Sequence, residues 1–150
     1  MNAAMTHRHA QGGFMLLEAL IAIVIFSIGI LGLLALQAVA INNASAAKYR
    51  SDASLQAENL VGQMWVSSRV PASLQANFSS AAGGQPYVTW ASGVGAALPG
   101  AATYPPVVTV QPITTTITPS SLVTITIYWK APAEDKAAPP HQYTLVAQVI

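Results

Sequence analysis

The chain has no cysteine among its 150 residues, which excludes a disulfide framework and thiolate metal sites. Charge is scarce as well. Only 7% of residues are charged and the net charge is +1, so nothing points to bulk binding of nucleic acid or to an acidic surface. Histidine occurs at His7, His9 and His141. His7 and His9 make at most two metal ligands and read as a solvated, positive-side flank. No Gly-x-Ser-x-Gly supports a serine nucleophile, and His141 follows Pro139-Pro140 in a loop. Gly83-Gly84 and Gly93 to Gly95 are turn material, because no Lys-Ser/Thr follows them as in a phosphate-binding loop. The chain is therefore expected not to be an enzyme and to hold no cofactor or metal. Proline is missing from Phe14 to Val70, so nothing there interrupts a helix.

What is abundant is apolar side chain, at 53% of the residues. From Phe14 to Leu36 the run contains one ionisable residue, Glu18. As a helix it is about 34 Å long, enough for a hydrocarbon core of roughly 30 Å. A carboxylate costs about 2.5–3.5 kcal/mol at the membrane centre and less near an interface. Glu18 then either sits near the headgroups or pairs with a positive charge on another chain. Arg8 precedes the run and no Lys or Arg follows before Lys48, so the positive-inside rule favours an N-terminus in the cytoplasm. Gly29 and Gly32 each cost about 1 kcal/mol of helix propensity. They suit either close packing on a neighbouring helix or a local weak point.

Small residues precede the apolar run, at Gly12-Gly13, whereas a secretory signal places them after it. With Gly13 before Phe14 and Glu18 fifth from Phe14, the segment resembles the class III signal of type IV pilins. The text LLEALIAIVIFSIGILGLLALQ looks most like the PilV-type minor pilins. The resemblance covers about the first quarter of the chain. It implies cleavage between Gly13 and Phe14 by a prepilin peptidase, which also N-methylates Phe14, and an assembly role for Glu18. It implies residence in the inner membrane with the C-terminal domain periplasmic, then in the pilus filament. The implied partners are that peptidase/N-methyltransferase, other major and minor pilins, the inner-membrane pilus assembly machinery and membrane lipid. No nucleic acid is expected. Many pilins close a C-terminal loop with a disulfide, and this chain departs from that pattern.

Beyond Gln37 polar residues enter, and Ala46, Tyr49, Ala53, Ala57, Leu60 and Met64 fall on one helical face. The helix is expected from about Phe14 to Ser68, with Pro71 as its stop. Residues 71–105, rich in Ala, Gly, Ser and Pro, read as loop with a short strand at Tyr87-Val88-Thr89-Trp90. After Pro106 the period becomes two. Val108 and Val110 alternate, then Ile113, Thr115 and Ile117. Val123, Ile125, Ile127 and Trp129 share one face, as do Tyr143, Leu145, Ala147 and Val149.

The expected fold is α+β: a long N-terminal helix, membrane-spanning in its first half, packed on a small antiparallel sheet. That architecture is also the one the pilin resemblance implies. The expected divisions are a leader at 1–13, a transmembrane half-helix at 14–37 and an amphipathic half at 38–70. A loop region at 71–105 and the sheet at 106–150 complete them. Three functions fit: a minor pilin of a type IV pilus, a minor pseudopilin of a type II secretion system, and a membrane-anchored or pilus-tip binding module using 71–105. Lys130 and Lys136 beside Tyr128 and Trp129 could touch DNA, but with Glu134 and Asp135 they read as a solvated hairpin tip.

Overall fold

The computed structural model describes residues 12–113, 119–132, 134–135 and 137–150. The chain divides into two compact units, Met1–Ala44 and Ser45–Ile150. Helix α1, Gly12–Val66, contributes to both. In the first unit every described side chain from Phe14 to Ala44 is exposed. Among the described residues this is the one helix long and apolar enough to cross a membrane. A surface this apolar and this uncovered is suited to lipid, where it costs nothing, and unsuited to water. Among the described residues, no atom beyond the helix's own neighbouring backbone lies within 4 Å of where a Cβ would stand on Gly29 or Gly32, so their smallness answers to no contact there.

The second unit is α+β. Residues of α1 from Tyr49 onward meet a three-stranded antiparallel sheet in the order β1-β2-β3. The strands are β1, Val107–Ile113, β2, Ser120–Trp129, and β3, His141–Val149. From α1 the core takes Ala53, Ala57, Leu60 and Met64, with Tyr49 and Val61 half-buried; Ala46 stays exposed. From the sheet it takes Val108, Val110, Val123, Ile125, Ile127, Trp129 and Val149. The strand alternation thus sends the predicted face inward. Tyr143 and Leu145 lie only half-covered at the margin. Thr115 and Ile117 lie outside the described residues, and β1 closes at Ile113.

The stretch 71–105 is not loop. It forms α2, Pro71–Phe78, and α3, Gln85–Ala97, with a turn-rich link to β1. The strand expected at Tyr87-Val88-Thr89-Trp90 is the first half of α3. Helix α1 ends at Val66, ahead of the expected stop, and Pro71 instead opens α2, where the first helical turn needs no proline N–H. Leu74 and Phe78, then Trp90, Val94 and Leu98, are spaced by four residues and all are buried. That spacing places them on single helical faces, which outweighs the strand preference of Tyr, Val, Thr and Trp. Trp90 donates its indole N–H to the Gln56 carbonyl at 2.9 Å, tying α3 to α1.

The link between α2 and α3 depends on two glycines for different reasons. Gly83 has φ +64°, the left-handed region that side chains disfavour. At Gly84 a Cβ would stand 2.5 Å from the Ala76 and Asn77 carbonyl oxygens. A fragment from Asn42 to Ile150 should therefore fold in water with mixed α/β circular dichroism. In that fragment Gly84→Ala should lower stability by about 1–3 kcal/mol through overpacking. A disordered fragment contradicts this account of the second unit, and an Ala variant as stable as its parent contradicts the close approach.

Candidate functional site

Gly13, Phe14 and Glu18 all lie in the first two turns of α1. The first four amides of a helix have no intrahelical acceptor, so the Gly13–Phe14 peptide sits where opening the backbone costs least. Gly13 brings no side chain to hinder an approaching protease. Phe14 is 74% exposed. Glu18 lies four residues after Phe14, one turn along the same helical face. It is exposed, and among the described residues it has neither a hydrogen bond nor an ion pair. The chain therefore presents an acid on an apolar helix without supplying its counter-charge. Such a carboxylate needs a partner or headgroup water once the helix enters lipid. His7, Arg8 and His9, expected to belong to a leader, lie outside the described residues.

The remaining chemistry gathers in the second unit at the hairpin between β2 and β3. His141 Nε2 lies 2.5 Å from Glu134 Oε1, and its ring stacks on Trp129 with centroids 5.8 Å apart. The other Glu134 oxygen accepts the Ala131 N–H at 3.2 Å. Lys130 donates its ammonium to the Ala138 carbonyl at 2.7 Å. Lys136 lies outside the described residues. With Glu134 bound to it, His141 fastens the hairpin, and among the described residues no serine hydroxyl reaches it. A shallow open depression of about 510 Å³ runs beside the hairpin, between Pro99–Tyr104 and Lys130–Glu134. Among the described residues no group of three or more His, Asp or Glu side chains is placed to hold a metal.

The hydrogen bond from His141 holds the Glu134 carboxyl below its ordinary value near 4.5, with further help from the Ala131 N–H and the charges of His141 and Lys130. A depressed carboxylate stabilises its surroundings above the unfolded pKa, and that contribution is lost as pH falls through the folded one. The Ala131 amide should accordingly lose hydrogen-exchange protection only as pH falls below the ordinary carboxylate range and through the lowered pKa of Glu134, and Glu134→Gln should remove the effect. An unchanged protection factor over that fall in pH would show that Glu134 does not hold the loop.

Phe78, Tyr87 and Trp90 of 71–105 face inward. Trp90 is buried, and Tyr87 donates its hydroxyl to the Pro106 carbonyl at 2.7 Å, where burial raises the phenol's pKa. They are committed to the core and to tying α3 to its neighbours, which leaves Tyr104 as the aromatic beside the open depression. A contact that periodicity could not show is made by Ser80. Its N–H donates to the Val108 carbonyl at 3.0 Å, and its hydroxyl accepts the Val108 N–H at 3.3 Å. The outer edge of β1 is covered there.

Compared with family models, curated proteins and solved structures, the chain matches none.

Proposed function

We propose that this chain is a pilin-like structural subunit, a minor component of a type IV pilus. In this reading a prepilin peptidase cuts between Gly13 and Phe14 and methylates the new Phe14 amine. Residues 14–37 then hold the subunit in the inner membrane, with the C-terminal unit on the periplasmic side, until it is drawn into a filament. The observation that carries the reading is the coincidence of Gly13, Phe14 and Glu18 at the head of an uncovered apolar helix. An α+β unit following that helix is the layout such a subunit needs. Arg8 before the run and the absence of Lys and Arg up to Lys48 favour the orientation.

A minor rather than a major role rests on the second unit. A bulk subunit bears shear along the whole shaft, and a disulfide adds typically 2–4 kcal/mol to such a domain. This chain has no cysteine and few charges for repeated lateral contacts. It therefore suits a few positions in a filament, where it starts or modifies the assembly. Quantitative proteomics of sheared, purified filaments tests this. The chain should be present at a small fraction of the major subunit, and deleting its gene should reduce pilus number, adhesion or twitching. Recovery as the most abundant component overturns the minor role, and absence from filaments overturns the pilus role.

A further inference from the structure

The two edges of the sheet are treated differently. On β1 the outward N–H and C=O of Val108 are engaged by Ser80, and Pro112 removes a donor further along the strand. Both are ordinary ways to close an edge. Strand β3, at the other edge, carries no proline, lysine or acid between His141 and Val149. Its pairing with β2 runs from Ser121↔Val149 to Trp129↔His141 without a bulge.

The polarity of that edge follows from Val108. In an antiparallel sheet the N–H and C=O of one residue point the same way, and the direction alternates along the strand. Val108 points outward to Ser80, so its partner Ile125 points to β3, where it meets Leu145. Leu145, Tyr143 and Ala147 therefore spend their backbone groups on β2. Gln142, Thr144, Val146 and Gln148 aim theirs away from the sheet. Among the described residues no backbone partner meets them. Val146 is also 60% exposed.

We propose that β3 pairs with the β3 of a second copy of this chain, antiparallel about a two-fold axis at Leu145, joining two three-stranded sheets into one. The strand is self-complementary in that register. Every outward residue meets an outward residue: Thr144 lies opposite Val146 of the other copy, and Gln142 opposite Gln148. On the core side Leu145 meets Leu145, and the bulky Tyr143 meets the small Ala147. The half-covered Tyr143 and Leu145 thereby gain apolar neighbours. His141 is the only ionisable side chain apart from tyrosine on the strand and falls opposite Val149, so no like charges are opposed. An isologous contact of this kind closes on itself and stops at two copies. The inference does not depend on the pilin reading.

The natural lack of cysteine makes the test direct. Full-length chains carrying Thr144→Cys and Val146→Cys are prepared separately, mixed in detergent micelles and oxidised. Opposed residues of a hydrogen-bonded pair stand about 5.5 Å apart at Cα, within disulfide reach. The mixture should give several-fold more covalent dimer than either variant alone. Val146→Lys and Thr144→Lys, both on the outer face, should keep the parent circular dichroism and abolish the dimer seen by sedimentation in detergent. The proposal is overturned if the parent is monomeric, if the lysine variants dimerise as it does, or if either cysteine variant alone cross-links as well as the mixture. Adducts with a different polypeptide in native membranes, with none between copies, assign the edge to that partner and overturn the second-copy contact.

Discussion

Replacing Glu18 by Ala should leave membrane insertion and leader cleavage intact and cut incorporation into filaments to below about a tenth of the parent level, about 1.4 kcal/mol or more in a partition between membrane and filament. Removing a carboxylate from an apolar helix lowers the cost of insertion, so a failure cannot be blamed on the membrane step. What the substitution removes is a charge that has no counter-charge among the described residues. Cleavage after Gly13 would create one, the α-amino group of Phe14, one helical turn from Glu18 in the same chain or presented by a neighbouring subunit. In an apolar setting the attraction within such a pair offsets much of the cost of desolvating its members, whereas a lone charge is left uncompensated. Glu18→Gln should fail nearly as badly, because it keeps the shape and loses the charge. Recovery of the Ala variant in sheared pili at the parent level would sink the assembly role.

Gly13→Val should block processing, leaving a chain that keeps its first thirteen residues and accumulates in the membrane outside filaments. A β-branched side chain beside the scissile bond obstructs approach to the backbone and stiffens the turn that must open. The expected loss of cleaved product is at least about a hundredfold, since a misplacement of about 1 Å at a reacting bond already costs that much. Gly12→Val, one residue further from the bond, should be milder. Normal processing of the Gly13 variant would show that Gly13 does not define the cleavage position.

The sequence made the helix and the strands legible because both are long enough for their periods to repeat. Ala53, Ala57, Leu60 and Met64 recur over three turns, and Val123 to Trp129 alternate without interruption. Helices α2 and α3 were harder to see. At 8 and 13 residues they offer few repeats, and their alanines, excellent helix formers, resemble the filler of a loop. The signal was present in the four-residue steps Leu74–Phe78 and Trp90–Val94–Leu98, masked by the β-favouring Tyr87-Val88-Thr89. The packing of the helix face on the sheet face was legible, but the individual hydrogen bonds between elements were not. The Ser80 cover on β1, the bond from Trp90 to Gln56 and the pairing of Glu134 with His141 each join residues that no local pattern relates. The candidate site is the opposite case. Gly13, Phe14 and Glu18 stand within six consecutive positions, so their spacing is fixed by the chain itself.

In the proposed processing, the working form of this protein begins at Phe14. Mass spectrometry of the N-terminal peptide from the membrane-bound chain tests it most directly. The expected peptide starts at N-methylated Phe14 and lacks Met1 to Gly13. A mature membrane form that still carries those residues would contradict it.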